Sequence, residues 1–187
     1  MKTLVALDGS TTKTGYAIYK VYDNNTFALK KSGVLEPPKQ KKKKFKKDTI
    51  KIKKESRTES MAFRMFYLLD SIYNLVEEEK SLGYIVIEDT FLGKDANAYK
   101  WLCRLQGFLM GYSKVKNIVY ETMYPTHWRS ILSIATRDKN HVFKRDELKN
   151  KSWNYIKLLG LKADTEDECE AVLIGRAYLI EKGYKSK

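Results

Sequence analysis

Leu4-Val5-Ala6-Leu7-Asp8-Gly9-Ser10-Thr11-Thr12-Lys13-Thr14-Gly15-Tyr16-Ala17-Ile18 is an apolar run that ends in a carboxylate, a polar turn, and a second apolar run. An apolar strand buried in a sheet does not end in an acid without cause, because an unpaired buried charge is costly. The same juxtaposition recurs twice. Glu88 follows Ile85-Val86-Ile87, and Asp167 and Glu170 open an amphipathic stretch just before Ala171-Val172-Leu173-Ile174. Brought together, such acids would form a cage of oxygen ligands for hard divalent cations.

Working outward, residues 3–7, 15–21 and 27–34 have the β-branched and aromatic content of strands, with Gly9, Gly15 and Asn24-Asn25 between them. Their loops are too short for crossovers, which predicts an antiparallel meander. Pro37-Pro38 then stops regular structure. Ser56-Arg57-Thr58-Glu59 has the spacing of a capping box, and the helix it starts runs to about Lys80 with Met61, Met65, Leu68, Ile72 and Leu75 on one face. Tyr84 to Ile87 is a short, continuously apolar strand of the kind buried on both faces. A helix over 96–113 with Ala98, Leu102, Leu105, Leu109 and Tyr112 on one side follows, then a buried strand over 117–120. A short helix over 126–133 and longer ones over 141–159 and 164–181 complete the chain. The order β-β-β-α-β-α-β-α-α predicts an α/β fold. Its mixed five-stranded sheet is a meander followed by βαβ units, flanked by helices.

The 187 residues fit a single domain over 1–187, large enough to bury roughly 70% of its unfolded surface. The net charge of +13 is concentrated. Residues 39–54 hold ten lysines against Asp48, or +9, which leaves +4 for the rest of the chain. This Lys-rich insertion, at about 36–57, points to nucleic acid or an anionic surface, a solvated loop being the bland alternative. Within it Ile50-Lys51-Ile52-Lys53 alternates as a strand would. Cys103 and Cys169 have no CxxC spacing and are expected to be reduced thiols. The first residues are too short and too soon charged for a signal peptide, and no run approaches membrane-spanning length. A soluble cytoplasmic protein without membrane association is expected.

The local motifs resemble a known family. Asp8-Gly9-Ser10-Thr11-Thr12-Lys13-Thr14-Gly15-Tyr16 resembles the first motif of the RuvC Holliday junction resolvases, in which a metal-binding Asp is followed, after a turn, by Thr-Gly-Tyr. Val86-Ile87-Glu88-Asp89-Thr90-Phe91 is similar to the second, apolar-apolar-Glu-x-x-Phe. Tyr124-Pro125-Thr126-His127-Trp128-Arg129 resembles Thr-Pro-x-x-Val-Lys, and Asp167-Glu168-Cys169-Glu170-Ala171 resembles the closing Asp-x-x-Asp-Ala. The whole looks most like the diverged RuvC-type endonucleases of bacteriophages, such as those of lactococcal phages. There are departures. The family's Asp-Pro-Gly reads Asp8-Gly9-Ser10, Glu170 is one methylene longer than the usual Asp, and the lysine tract is no part of the pattern.

The resemblance implies a ribonuclease H-like fold and a Mg²⁺- or Mn²⁺-dependent endonuclease that nicks Holliday junctions and other branched DNA. Two ions roughly 4 Å apart would activate water and stabilise the leaving 3′-oxygen. Asp8 would bridge them, Glu88 would hold one, and Asp167 and Glu170, spaced i and i+3, the other. Asp89 is the substitute for Glu88. Phe91 is either core or a stacking surface for an unpaired base. Arg129, Lys144 and Arg145 fall where the family keeps basic residues near the scissile phosphate, or else on a solvated helix face. Lys41, Lys42, Lys43 and Lys44 would track phosphates. His127 and His141 are expected at turns or on the surface. A homodimer would present two sites to a two-fold junction, with the apolar faces of helices 58–80 and 96–113 as candidate interfaces. In a phage the place of action would be the host cytoplasm. The sequence names no motor-protein partner. Two other classes compete: a non-catalytic basic DNA-binding module of the same fold, and an ATP-binding fold of the actin and sugar-kinase type, whose hairpin also reads Asp-x-Gly-Thr-Thr.

Overall fold

Alternation along the first strand decides which side of the sheet each residue serves. In β1 (Lys2–Gly9), Leu4 and Ala6 enter one buried cluster, while Val5 and Leu7 enter another on the opposite face. The structure, a computed structural model, describes residues 1–38, 57–90, 95–135 and 143–187. Several sequence expectations lie outside the described residues: the lysine tract with its alternating segment, the Ser56 cap, Phe91 and His141.

β1 pairs antiparallel with β2 (Thr14–Val21), and β2 antiparallel with β3 (Thr26–Leu35), which is the expected meander. Asn25 makes the β2–β3 turn at φ 56°, a conformation that Asn tolerates better than most residues. β4 (Leu82–Glu88) lies parallel to β1, and β5 (Val119–Met123) parallel to β4. A sixth strand, β6 (Lys185–Ser186), runs parallel to β3; two residues show no periodicity, so nothing in the sequence points to it. Among the described residues the sheet therefore has six strands rather than five, in the order β5-β4-β1-β2-β3-β6.

The strand expected over 117–120 is also displaced. Asn117 is the left-handed cap of the preceding helix, at φ 55°, and the strand begins two residues later. It is an edge strand in which only Met123 is buried, rather than a strand covered on both faces.

Helices α1 (Arg57–Glu77) and α2 (Ala96–Lys116) cover one face. The α1 stripe is the expected one: Met61, Met65, Leu68, Ile72 and Leu75 are all buried. From α2, Leu105 and Leu109 join the same cluster. The other face carries α3 (Pro125–Ile131), α4 (Arg145–Leu158) and α5 (Glu166–Glu181). α5 is buried round most of its circumference, as befits a helix held between a sheet and other helices.

Two glycines let α5 lie unusually close to the sheet. A Cβ on Gly175 would stand 2.8 Å from the Ala6 methyl and 2.6 Å from the Tyr19 ring. A Cβ on Gly15 would overlap the Asp167 backbone carbonyl. The Tyr19 hydroxyl donates to the Val172 carbonyl at 2.6 Å and pins the helix in that seat. Among the described residues no helix is long and apolar enough to cross a membrane.

Candidate metal centre

β1 and β4 are parallel neighbours with Ala6 opposite Val86 and Leu7 opposite Ile87. One residue further along each strand stand Asp8 and Glu88. Both continue the alternation that faces α5, at the carboxyl ends of parallel strands, where open α/β sheets form their sites. Glu170 reaches in from α5, one turn past its N-terminus. One carboxylate oxygen from each of Asp8, Glu88 and Glu170 lies within 4.8 Å of the other two. The extra methylene of Glu170 does not carry it out of reach.

Burial and the repulsion of neighbouring acids make Asp8 and Glu88 reluctant to ionise. Asp8 is only 8% exposed, and its carboxyl is held well above the usual carboxylate range by desolvation first, then by Glu88, Glu170 and Asp167. Burial lifts Glu88 to about 7, with Glu170 adding to the lift and the Trp128 hydrogen bond and Arg129 opposing it. One buried and two half-buried acids with oxygen donors converging on one point are what a hard divalent cation would neutralise, so the donor set fits such an ion.

Asp167 does not point into the trio. Its carboxylate meets Lys13 Nζ from the β1–β2 turn at 2.7 Å, close enough to Asp8 to add to its repulsion but committed to another cation. The i, i+3 pair therefore divides: Glu170 faces Asp8 and Glu88, and Asp167 faces Lys13. Glu168, buried between them in sequence, is structural. Its Oε1 accepts from Ser32 Oγ at 2.6 Å and its Oε2 from the Asp164 amide at 2.8 Å, while Thr165 Oγ1 caps the helix by accepting from the Glu168 amide. Asp89, the substitute for Glu88, instead accepts from the Thr90 amide at 2.8 Å and lies outside the trio.

Short helix α3 brings two side chains to the acids. Arg129 donates through Nη2 to Glu170 Oε1 at 2.7 Å, and Trp128 donates through Nε1 to Glu88 Oε1 at 2.8 Å. The Arg129 guanidinium lies 4.2 Å from the centre of the Trp128 ring. Beside them opens a cavity of about 460 Å³, lined by Glu88, Arg129 and Glu170 together with Pro125, Phe143, Arg145, Leu148, Lys149 and Glu166. Arg145 thus joins the site region, whereas Lys144 is exposed ahead of α4 and is not among the lining residues. His127 is on the surface as expected, 2.6 Å from Glu181. Sequence reasoning missed Trp128 and Lys13 as site neighbours. A lone Trp beside Arg in a short helix was the available signal for the first, and a Lys in the polar turn after Asp8 for the second.

No protein-family model matches the chain, and no curated protein does. Solved structures do match over their length. Thermus thermophilus RuvC in complex with Holliday junction substrate aligns with a TM-score of 0.62 at 10% identity, over 97% of this chain and 96% of that one. The fowlpox virus resolvase in complex with Holliday junction DNA aligns at 0.58 and 11%, over 96% and 98%. The yeast mitochondrial Holliday junction resolvase Ydc2 aligns at 0.51 and 13%, over 94% and 78%. The chain has the RuvC-like fold. Its mixed sheet, meander first, with helices on both faces is the arrangement expected from the motifs.

Proposed function

We propose that this protein is a RuvC-type, structure-selective DNA endonuclease that nicks Holliday junctions and related branched DNA with the help of Mg²⁺ or Mn²⁺. The observation that carries the proposal is the convergence of Asp8, Glu88 and Glu170 within 4.8 Å, in a fold matched nearly end to end by solved resolvases, two of them bound to junction DNA. Three of the four acids expected from the sequence thus meet, and they come from three elements far apart in the chain.

In this reading Asp8, Glu88 and Glu170 hold the divalent cations, two per site, with Asp167 joining if Lys13 releases it. The cations supply an activated water and stabilise the oxygen that leaves the scissile phosphorus. The protein's own residues do the rest. Arg129 and Arg145, on the wall of the cavity beside the acids, bind the phosphate to be cut. Phe91, Lys144 and Lys41 to Lys44 contact the DNA as well, Phe91 by stacking on an unpaired base.

The enzyme acts as a homodimer in the cytoplasm, as a phage-type branch of the family would in its host. The helix faces expected at the interface are consumed by the core, since Met65, Leu68, Ile72, Leu105 and Leu109 are fully buried. The opposite side of α1 and its neighbour α2 instead expose Phe63, Phe66, Tyr67, Tyr73 and Phe108, an aromatic surface suited to a second copy. The experiment is a nicking assay on a synthetic four-way junction with and without divalent cation. Cleavage that persists in EDTA, or none in Mg²⁺ or Mn²⁺, would refute the reading.

A further inference from the structure

We propose that Trp128 is a positioning residue, which orients Glu88 through its indole N–H and Arg129 through its ring face, and so fixes the cation-binding trio from behind. The inference rests on the reading that Asp8, Glu88 and Glu170 hold a divalent cation.

Trp128 is 0% exposed and packs in the core cluster beneath α5. A fully buried indole N–H must find an acceptor, because leaving it unpaired is costly. This one finds Glu88 Oε1 at 2.8 Å. The bond occupies one oxygen of Glu88 and limits the rotation of its carboxylate. The ring face meanwhile carries Arg129, whose Nη2 donates to Glu170 Oε1. Two successive residues of a seven-residue helix thus address two of the three acids. The side chain at position 128 cannot be exchanged for an ordinary apolar one without loss. The motif that this stretch resembles has Val there, which fills space but has no proton to donate. The chemistry is that of an outer-shell partner: it touches no cation and sets the orientation of a ligand that does.

Trp128→Phe keeps a smaller ring for Arg129 to stack on and deletes the donor. Manganese affinity, measured by calorimetry on the DNA-free protein, should fall about 10- to 100-fold, the usual effect of losing an outer-shell partner. Excess Mn²⁺ should restore much of the nicking rate, and the circular dichroism of the fold should not change. An affinity within twofold of wild type would overturn the inference. A wild-type protein that binds no Mn²⁺ would overturn this inference together with the reading it rests on, whereas wild-type binding with an unaffected variant overturns the inference alone.

A second measurement needs no variant at this position. The chain has three tryptophans, and the ¹⁵N-labelled indole signals can be assigned with Trp101→Phe and Trp153→Phe. Mg²⁺ should move the Trp128 indole N–H signal more than the other two, and a Trp128 signal indifferent to Mg²⁺ would overturn the inference even if Trp128→Phe failed to fold.

Discussion

Asp8 has the surroundings most hostile to negative charge: it is buried, and three further acids raise its proton affinity. Removing its charge should therefore relieve the protein while destroying the site. Asp8→Asn should cut nicking by more than the roughly 10- to 100-fold expected for an outer-shell change. Junction binding, followed by gel shift, should stay the same or tighten as repulsion of phosphate falls. Near-normal nicking by this variant would remove Asp8 from the site. Glu88 makes a second expectation concerning pH. Its carboxyl is raised from 4.5 to about 7 in the folded chain, so between those values the native state holds the proton and the unfolded state does not. Its contribution to stability is fully present below about 4.5 and is lost as pH rises through about 7. In EDTA, then, the melting temperature should drop by several degrees between pH 5 and pH 8, each kcal/mol moving it roughly 2–4 °C in a chain this long. Glu88→Gln should flatten that dependence, and Mn²⁺ should reverse the loss at pH 8. A melting temperature that does not fall across this range would contradict the desolvation of Glu88.

At the scale of elements, the seat of α5 on the sheet matters most, because it carries Glu170 to Asp8. Gly15 is opposite Asp8 in the β1–β2 ladder and leaves room for the first turn of α5. Gly15→Val should push that turn away, costing about 1–3 kcal/mol as overpacking usually does. It should also lower Mn²⁺ affinity, because Glu170 would withdraw; an unaltered affinity would show that the site does not depend on this approach. Strand ends and helix faces explain what was legible beforehand. Asp8 and Glu88 announce themselves because each terminates an apolar run, and two parallel strands then bring them side by side. The α1 stripe follows from the period of the helix. Asp167 was harder. Residues at i and i+3 share a face only loosely, and which of them turns inward depends on Lys13, at the far end of the chain. A Trp beside Arg129 in a short helix hints at Trp128, but its bond to Glu88 is invisible in the sequence, since that acceptor lies on another element. β6 exists only because Lys185 and Ser186 find the free edge of β3, a tertiary event without local periodicity.

For the whole molecule, a net charge of +13 accompanies a cluster of three acids, one buried and two half-buried, the combination wanted for drawing a polyanion toward bound cations. Residues 39–54 carry +9 of that +13. Neutralising Lys41 to Lys44 should weaken binding to duplex and branched DNA alike, and should lower the log–log salt slope by about 0.9 for each phosphate that no longer meets a lysine. Cleavage at saturating protein should persist, since these lysines are not among the acids that would hold the cations. A loss confined to junctions would mean that the tract senses the branch point, and an unchanged slope would mean that it touches no phosphate. The most direct measurement takes a four-way junction with all four strands labelled in turn. Wild type and Asp8→Asn are incubated with it in Mg²⁺, in Mn²⁺ and in EDTA, beside a linear duplex of the same sequence. The expected result is a pair of symmetric nicks across the branch point, made only by wild type, only with the cation, and not in the duplex. Nicking in EDTA, equal cutting of linear duplex, or cutting by Asp8→Asn would contradict a cation-dependent junction resolvase built on Asp8, Glu88 and Glu170.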